Sequence, residues 1–465
     1  MKSNKPTRRD FVKAASASAL LAGTSIRVGA STMTMLPTWQ STPPAQQIAA
    51  NDKIQIALIG AGGQGMNDTA TALRVPGVEL VAVADVYDGR LIRSKEIWGD
   101  HLFTTRDYRE VLARPDVDAV IIATPDHWHM QAAIDALNAG KDVYVEKPMV
   151  QLIKDGWPVI EAERKTKRIL QVGSQRVSSI IYKKAQEVLA SGAIGQLNMV
   201  EAWWNRNSAI GAWQYSIPPD ASEQTIDWDR YLGRAPKRPF EAIRVFRFRN
   251  YRDYGTGVGG DLFVHLFSGM HLIVNSIGPN RVLATGGLRH WIDGRDVPDL
   301  MLGMYDYPKT ATHPGFNLFL KVNFADGAGS GESSGFRFIG TEGVITVGGS
   351  VTVSSQTISK EPGYTIDTFP KALQEEFLKK YRETYPEQKN RMRNASEDRY
   401  FAPGGYSDLL DHFTNFFESV RTRKPVVEDS VFGFRAAGPA LLSNMSYFDS
   451  RPYGWNPESM KIIGE

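Results

Sequence analysis

A lysine, an aspartate and a histidine stand out among the 465 residues for the chemistry they could do together. Lys147 follows the apolar run Val143-Tyr144-Val145 and Glu146, and Asp261 and His265 lie four apart just after Gly259-Gly260. On a helix that spacing places both side chains on one face. A neutral imidazole can take the proton of a secondary alcohol, and a lysine can hold the alcohol oxygen as negative charge develops on it. The carboxylate can orient the ring or grip a neighbouring hydroxyl. His271, six residues beyond His265, is the alternative base, and Asp261 could instead cap the helix that follows the glycines.

Removing that proton is useful only where something accepts the hydride, and the first third of the chain offers a place for an acceptor. Ile54 to Ile59 reads as a buried strand, followed at once by Gly60-Ala61-Gly62-Gly63-Gln64-Gly65 and a helical stretch. Such a turn lets backbone N–H groups approach a pyrophosphate and lets the helix pack closely on the strand. The next strand ends in Asp85, 20 residues after Gly65, where a carboxylate can accept ribose hydroxyls and repel a 2′-phosphate. NAD is therefore favoured over NADP, with Arg90 nearby working against that preference. Two further apolar strands run into Thr124-Pro125-Asp126-His127-Trp128-His129 and Glu146-Lys147-Pro148. Strands alternating with helices predict a parallel, doubly wound sheet, whose ligands bind beyond the carboxyl ends of the strands. The candidate cofactor contacts are thus Gly60, Gly62, Gly63, Gln64, Gly65, Asp85, Thr124, Pro125, His129, Glu146 and Lys147. His127 and His129 have no evident third metal ligand near them, so no metal site is expected.

Taken together, the glycine turn, the Thr-Pro-Asp-His-Trp-His run, Glu146-Lys147-Pro148 and Gly259-Gly260-Asp261-Leu262-Phe263-Val264-His265 resemble the Gfo/Idh/MocA oxidoreductase family, over nearly all of the chain after residue 50. The resemblance implies an α/β fold: an N-terminal Rossmann domain and a C-terminal α/β domain with an open, mostly antiparallel sheet that commonly serves dimer or tetramer contacts. It also implies NAD as cofactor, a sugar or polyol as substrate, and Lys147, Asp261 and His265 as the catalytic set. Gly260 directly precedes Asp261 where many members have several intervening residues, which keeps His271 in view. The sequence Phe263-Val264-His265 stands where the family's exported glycosidases would carry Tyr-x-Thr-His.

The expected organisation is a leader over 1–30, a linker over 31–50, the NAD-binding domain over 51–175 and a substrate and oligomerisation domain over 176–465, with C-terminal helices returning to the first domain. A Pro- and Trp-rich insertion spans about 207–257. Aromatic faces stack on pyranose C–H faces, so Trp203 and Arg176 join Lys147, Asp261 and His265 as candidate substrate contacts. Arg244, Arg247, Arg249 and Arg252 in the insertion read as a solvated or subunit-contact face. Gly315 to Phe324 and Phe336 to Val347 read as strands, Lys360 to Arg399 as loops and short helices, and Ser407 to Phe417 as an amphipathic helix.

Composition sets the class. With 42% apolar and 23% charged residues, and no apolar span of membrane length, the chain is neither disordered nor a polytopic membrane protein. The formal charge is +3, but residues 1–30 hold six basic residues against one acidic, so the remainder is slightly acidic and nucleic acid is not an expected partner. Thr7-Arg8-Arg9-Asp10-Phe11-Val12-Lys13, followed by an Ala-rich stretch, resembles a twin-arginine export signal and predicts a periplasmic protein. The chain contains no cysteine. A periplasmic NAD enzyme must regenerate its cofactor in place. The expected activity is therefore a cofactor-retaining oxidoreductase acting on a secondary hydroxyl, at C3, of a sugar or glycoside. The alternatives are a redox-neutral glycosidase working by oxidation, elimination, hydration and reduction, and a silent sugar-binding protein of the same fold.

Overall fold

The computed structural model describes residues 25–28, 31–36, 53–327, 331–355, 365–384 and 397–464. Two short strands come first, β1 (Ser25–Val28) and β2 (Ser31–Met35), and both join the sheet of the second domain. Residues 31–36 are therefore part of the fold and not of a linker: β2 pairs in parallel with a late strand, and Leu36 is buried. The twin-arginine motif lies outside the described residues.

The first domain alternates β3 (Ile54–Ile59), α1 (Gly63–Ala72), β4 (Val78–Ala84), α2 (Asp88–Trp98), β5 (Phe103–Thr105), α3 (Tyr108–Leu112), β6 (Ala119–Ile122), α4 (His129–Asn138), β7 (Asp142–Val145), α5 (Gly156–Thr166) and β8 (Leu170–Val172). The six strands form one parallel sheet in the order β5-β4-β3-β6-β7-β8. This is the doubly wound arrangement whose strand order reverses beside its first strand, and the crevice there takes the ligand. Every residue of β6 and β7 is buried, as a strand covered on both faces requires.

The second domain opens with α6 (Ile180–Ala190), which Ser179 caps by accepting from the Ile181 N–H, and β9 (Leu197–Arg206). The insertion follows with α7 (Trp228–Leu232) and α8 (Ala242–Phe246), and then α9 (Val264–Val274), entered through a π-helical turn over Gly259–Phe263. Next come β10 (Arg281–Gly287), β11 (Leu300–Tyr307), β12 (Phe316–Asn323), β13 (Glu332–Gly340), β14 (Gly343–Val347), β15 (Ser350–Ser355), α10 (Lys371–Thr384), β16 (Glu397–Phe401), α11 (Asp408–Thr422), α12 (Ser430–Asp449), β17 (Tyr453–Asn456) and β18 (Lys461–Ile462). Twelve strands make one sheet, antiparallel except where β9 meets β12 and β16 meets β2. Phe336 to Val347 is a hairpin and not one strand, because Thr341-Glu342 turns the chain back. Of the stretch expected as loops and short helices, 371–384 is a single 14-residue helix and 397–401 a strand.

The apolar face of α11 lies against the first domain, where Phe413 stacks on Tyr144 with ring centroids 4.4 Å apart. His412 is buried at the same junction, its ring nitrogens 2.8 Å from Ser178 Oγ and from the Val172 carbonyl. The second domain thereby returns to cover one face of the first domain's sheet, beside α1. No helix among the described residues is long and apolar enough to cross a membrane.

Candidate active site

Gly60 makes the turn after β3 with φ +94°, and a Cβ there would lie 2.7 Å from the backbone of Ala123 and Thr124. Gly65 faces the Gly60 carbonyl so closely that its Cβ would fall 2.1 Å from the oxygen. These two glycines let α1 and the ends of β3 and β6 meet. By contrast, a Cβ on Gly63 would meet nothing within 4 Å, because that position faces a cleft.

The cleft has a volume of about 520 Å³ and runs along the carboxyl ends of the strands. Gly60, Gly62, Gly63, Gln64, Asp85, Thr124, Pro125, His129, Glu146 and Lys147 all line it; Gly65 alone of the expected cofactor contacts does not. Asp85 is buried, accepting from the Ala61 and Tyr87 N–H groups at 2.8 and 2.9 Å and pairing with Arg90 at 3.3 Å. Since a carboxylate offers about four acceptor positions, these bonds leave capacity for a ribose hydroxyl. Thr124 Oγ1 is buried at the wall without a partner. The open Gly63 position, the helix N-terminus behind it and the acid at the far end fit a dinucleotide laid along the strand ends.

The 207–257 insertion roofs this cleft. Asp227 N–H donates to the Val86 carbonyl at 2.9 Å, Tyr87 Oη donates to Asp220 at 2.6 Å, and Arg234 pairs with Asp155 at 2.6 Å. The carbonyl of Tyr231 meets His127 Nε2 at 2.8 Å and accepts from Trp128 Nε1 at 2.9 Å. His127 is thus a buried structural residue, held neutral because burial pushes its pKa down to about 4. His129 bridges the Pro148 and Thr124 carbonyls at 2.8 and 2.9 Å, joining the ends of β6 and β7. No group of three potential ligands among the described residues is arranged to hold a metal ion.

At the inner end of the cleft, Lys147 Nζ donates to Asp261 Oδ1 at 2.8 Å and to the Asp261 carbonyl at 3.2 Å. Arg249 Nε donates to the same Oδ1 at 3.1 Å. Burial alone would raise the Asp261 carboxyl, but Lys147 and Arg249 together hold it well below the usual carboxylate range. His265 is buried, and burial first, then the nearby cations led by Lys147, push its pKa well down, so the ring is neutral. Its Nδ1 has no partner. Asp261 therefore faces Lys147 and Arg249, and bonds neither ring nitrogen of His265. Asp261 does not cap a helix either, since it sits inside the π-helical turn, which begins at Gly259.

His271 belongs elsewhere. Its Nε2 lies 2.9 Å from Tyr307 Oη in the core, and burial takes its pKa to about 3. Trp203 is also displaced from the site: its indole N–H donates to Ser333 Oγ at 3.0 Å across the outer face of the sheet. Side chains alternate along a strand, so it is Trp204 that faces inward and lies against His265 with ring centroids 4.6 Å apart. Arg176 also lies over Trp204, its guanidinium 4.3 Å from the ring centre, and donates to Ser334 Oγ. Trp204 is not among the substrate contacts expected from sequence, and Arg249, expected on a solvated or subunit-contact face, instead turns into the cleft onto Asp261. The alternation Val200, Ala202, Trp204, set against the charged Glu201 beside Trp203, could have indicated the first; Arg249 sits in an aperiodic segment without such a signal.

Residues 54–174 match the Gfo/Idh/MocA model, described as oxidoreductase family, NAD-binding Rossmann fold. The first domain is thus an NAD-binding Rossmann domain similar to that family's. A glycosyl hydrolase family 109 protein of Shewanella baltica is 31% identical over 176 residues, covering 35% of this chain and 38% of that protein. Inositol 2-dehydrogenase of Salmonella typhimurium is 35% identical over 195 residues, covering 42% and 57% respectively. The chain thus spans less than two thirds of the length of these curated relatives. Among solved structures, levoglucosan dehydrogenase in complex with NADH and levoglucosan shares the fold with a TM-score of 0.60 at 18% identity, covering 89% of this chain and all of that one (100%).

Proposed function

We propose that this protein is a cofactor-retaining NAD-dependent oxidoreductase acting on a secondary hydroxyl of a sugar or glycoside. The observation that carries the reading is that Lys147 and Arg249, which line the inner end of an NAD-type cleft, both bond Asp261 just behind its wall, with buried His265 near enough to feel their charge. When bound, the nicotinamide supplies hydride acceptance; the protein's own groups handle the proton and the oxygen. Lys147 holds the substrate oxygen and offsets its growing negative charge, with Asp261 fixing the ammonium in place. Neutral His265 takes the hydroxyl proton on its imidazole, and Trp204 sets the plane of the ring. Excluding water strengthens these electrostatic contacts, and the roof over the cleft serves that end.

The roof also supports retention of the cofactor, since Tyr215, Tyr231, Phe246 and Phe248 of the insertion line the cleft together with the glycine turn. Retention accords with export through the leader, which we propose delivers the folded protein to the periplasm. There the hydride must return on the enzyme, either to an acceptor or to the oxidised substrate itself. The similarity to the family 109 protein favours a second reading, redox-neutral glycoside cleavage through a C3 ketone. Incubation with p-nitrophenyl glycosides separates the two: free sugar without net NADH marks cleavage, and keto-sugar with reduced cofactor marks dehydrogenation. No turnover of any sugar or glycoside would reject both readings.

A further inference from the structure

A second set of titratable groups lies beneath the reaction centre, and the chemistry above leaves it unused. Asp68 sits fully buried on the face of α1 that packs on the sheet, and Glu146, one residue before Lys147, is buried beside it. Each carboxyl feels the other, at a separation short enough for a proton to be shared between them. An amide already occupies one oxygen of each: Gln64 Nε2 donates to Asp68 Oδ1 at 2.8 Å, and Gln175 Nε2 donates to Glu146 Oε1 at 2.7 Å. Asp68 Oδ2 is left with no donor. Ionised carboxylates only accept, so contact between two of them in a buried place requires a proton on one. The row Gln64, Asp68, Glu146, Gln175 thus runs from the glycine turn to the end of β8, and both Gln64 and Glu146 line the cleft.

We infer that Asp68 is a positioning residue: the proton it shares with Glu146 ties the glycine turn to the strand end that carries Lys147, and losing that proton loosens the cleft's hold on a dinucleotide. The inference rests on the dinucleotide reading of the cleft. Once the proton leaves for solvent, two buried carboxylates face each other below an anionic pyrophosphate. The groups facing the pair are Tyr144 from β7, Lys147 from the turn after it, Asp261 from the π-helical turn, Arg249 from the insertion and Glu428 from the segment before α12. Lys147 and Arg249 favour ionisation, but Asp261 engages both of them. Burial prevails, pushing Asp68 well up and Glu146 up to about 7.

The test is NADH binding, followed by fluorescence, to the full chain freed of nucleotide, wild type against Asp68→Asn. The amide that this substitution introduces can donate to an ionised Glu146 and needs no shared proton. Wild-type affinity is expected to fall about tenfold between about pH 6 and about pH 9, with D68N flat to within about twofold. A flat wild-type profile, or the same slope in D68N, would overturn the inference. Melting of the unliganded proteins gives a readout independent of the cofactor. A carboxyl whose pKa is raised by folding loses stability as pH climbs from its unfolded toward its folded value. The wild-type melting temperature should therefore fall with pH relative to D68N, and equal slopes would contradict the shared proton. If D68N does not fold, Glu146→Gln donates to Asp68 in the same way and carries the same expectations. A melting difference without NADH binding at any pH would reject the dinucleotide reading while keeping the shared proton.

Discussion

Asp261 is the residue on which the proposed reaction centre turns, because one carboxylate oxygen receives both Lys147 and Arg249. The Lys147 and Asp261 side chains are only 9% and 4% exposed, so removing the charge leaves two cations with one fewer counter-charge in a dry place. Asp261→Asn should cost about 3–5 kcal/mol of stability, measured by denaturant unfolding. The sign of its pH dependence follows from the depressed carboxyl. Its stabilisation is complete above the unfolded value near pH 4 and is lost as pH falls below it, so the acid limb of the wild-type stability profile should be shallower in D261N. The two histidines separate by readout. His265→Ala should lower kcat by about 10²- to 10⁴-fold, while His271→Ala should lower the melting temperature and spare kcat. The opposite pattern would move the base to His271. At this scale the sequence carried Lys147, Asp261 and His265 through motif and spacing. It misplaced Trp203 by one residue, because a strand's two faces differ by a single step of register. It put Arg249 on a solvated or subunit-contact face, because its place depends on how an irregular segment folds over a distant cleft.

At the scale of elements, the strand-turn-helix unit at residues 54–72 and the insertion make opposite contributions. The first was legible, since buried strands, glycines and an acid at the next strand end repeat a pattern imposed by backbone geometry. The insertion was legible only as an irregularity. Its contacts to Val86, Tyr87, His127 and Asp155 join residues far apart in sequence. The glycines give a direct test of the cleft. Gly63→Ala should fold and melt as the wild type does yet bind dinucleotide at least tenfold more weakly, since its methyl enters the space where the phosphates lie. Gly65→Ala should destabilise the protein itself, because its Cβ would collide with the Gly60 carbonyl. Equal melting and equal binding in both variants would contradict the assigned path of the ligand. The hairpin at Thr341-Glu342 was read through as one strand because its turn carries no paired Asn-Gly or Pro signal.

For the whole molecule, the two domains and their sheet types followed from the sequence, while the extent of the second sheet did not. Strand β2 joins it through β16, across more than 350 residues of chain, a pairing no local pattern announces. Together the domains form one cleft, the first supplying the strand ends and Lys147 and the second the roof and the Arg249 and Asp261 that meet Lys147, and the central claim is that this cleft keeps an NAD that a sugar can reduce. The most direct measurement is to purify the full chain without added nucleotide, quantify dinucleotide released by acid, and follow absorbance of the reduced cofactor on adding sugars to wild type and Lys147→Met. The account predicts close to one dinucleotide per chain, reduced by substrate in the wild type and not in K147M. Protein that neither carries nor binds dinucleotide, or that reduces it equally well without Lys147, would contradict it.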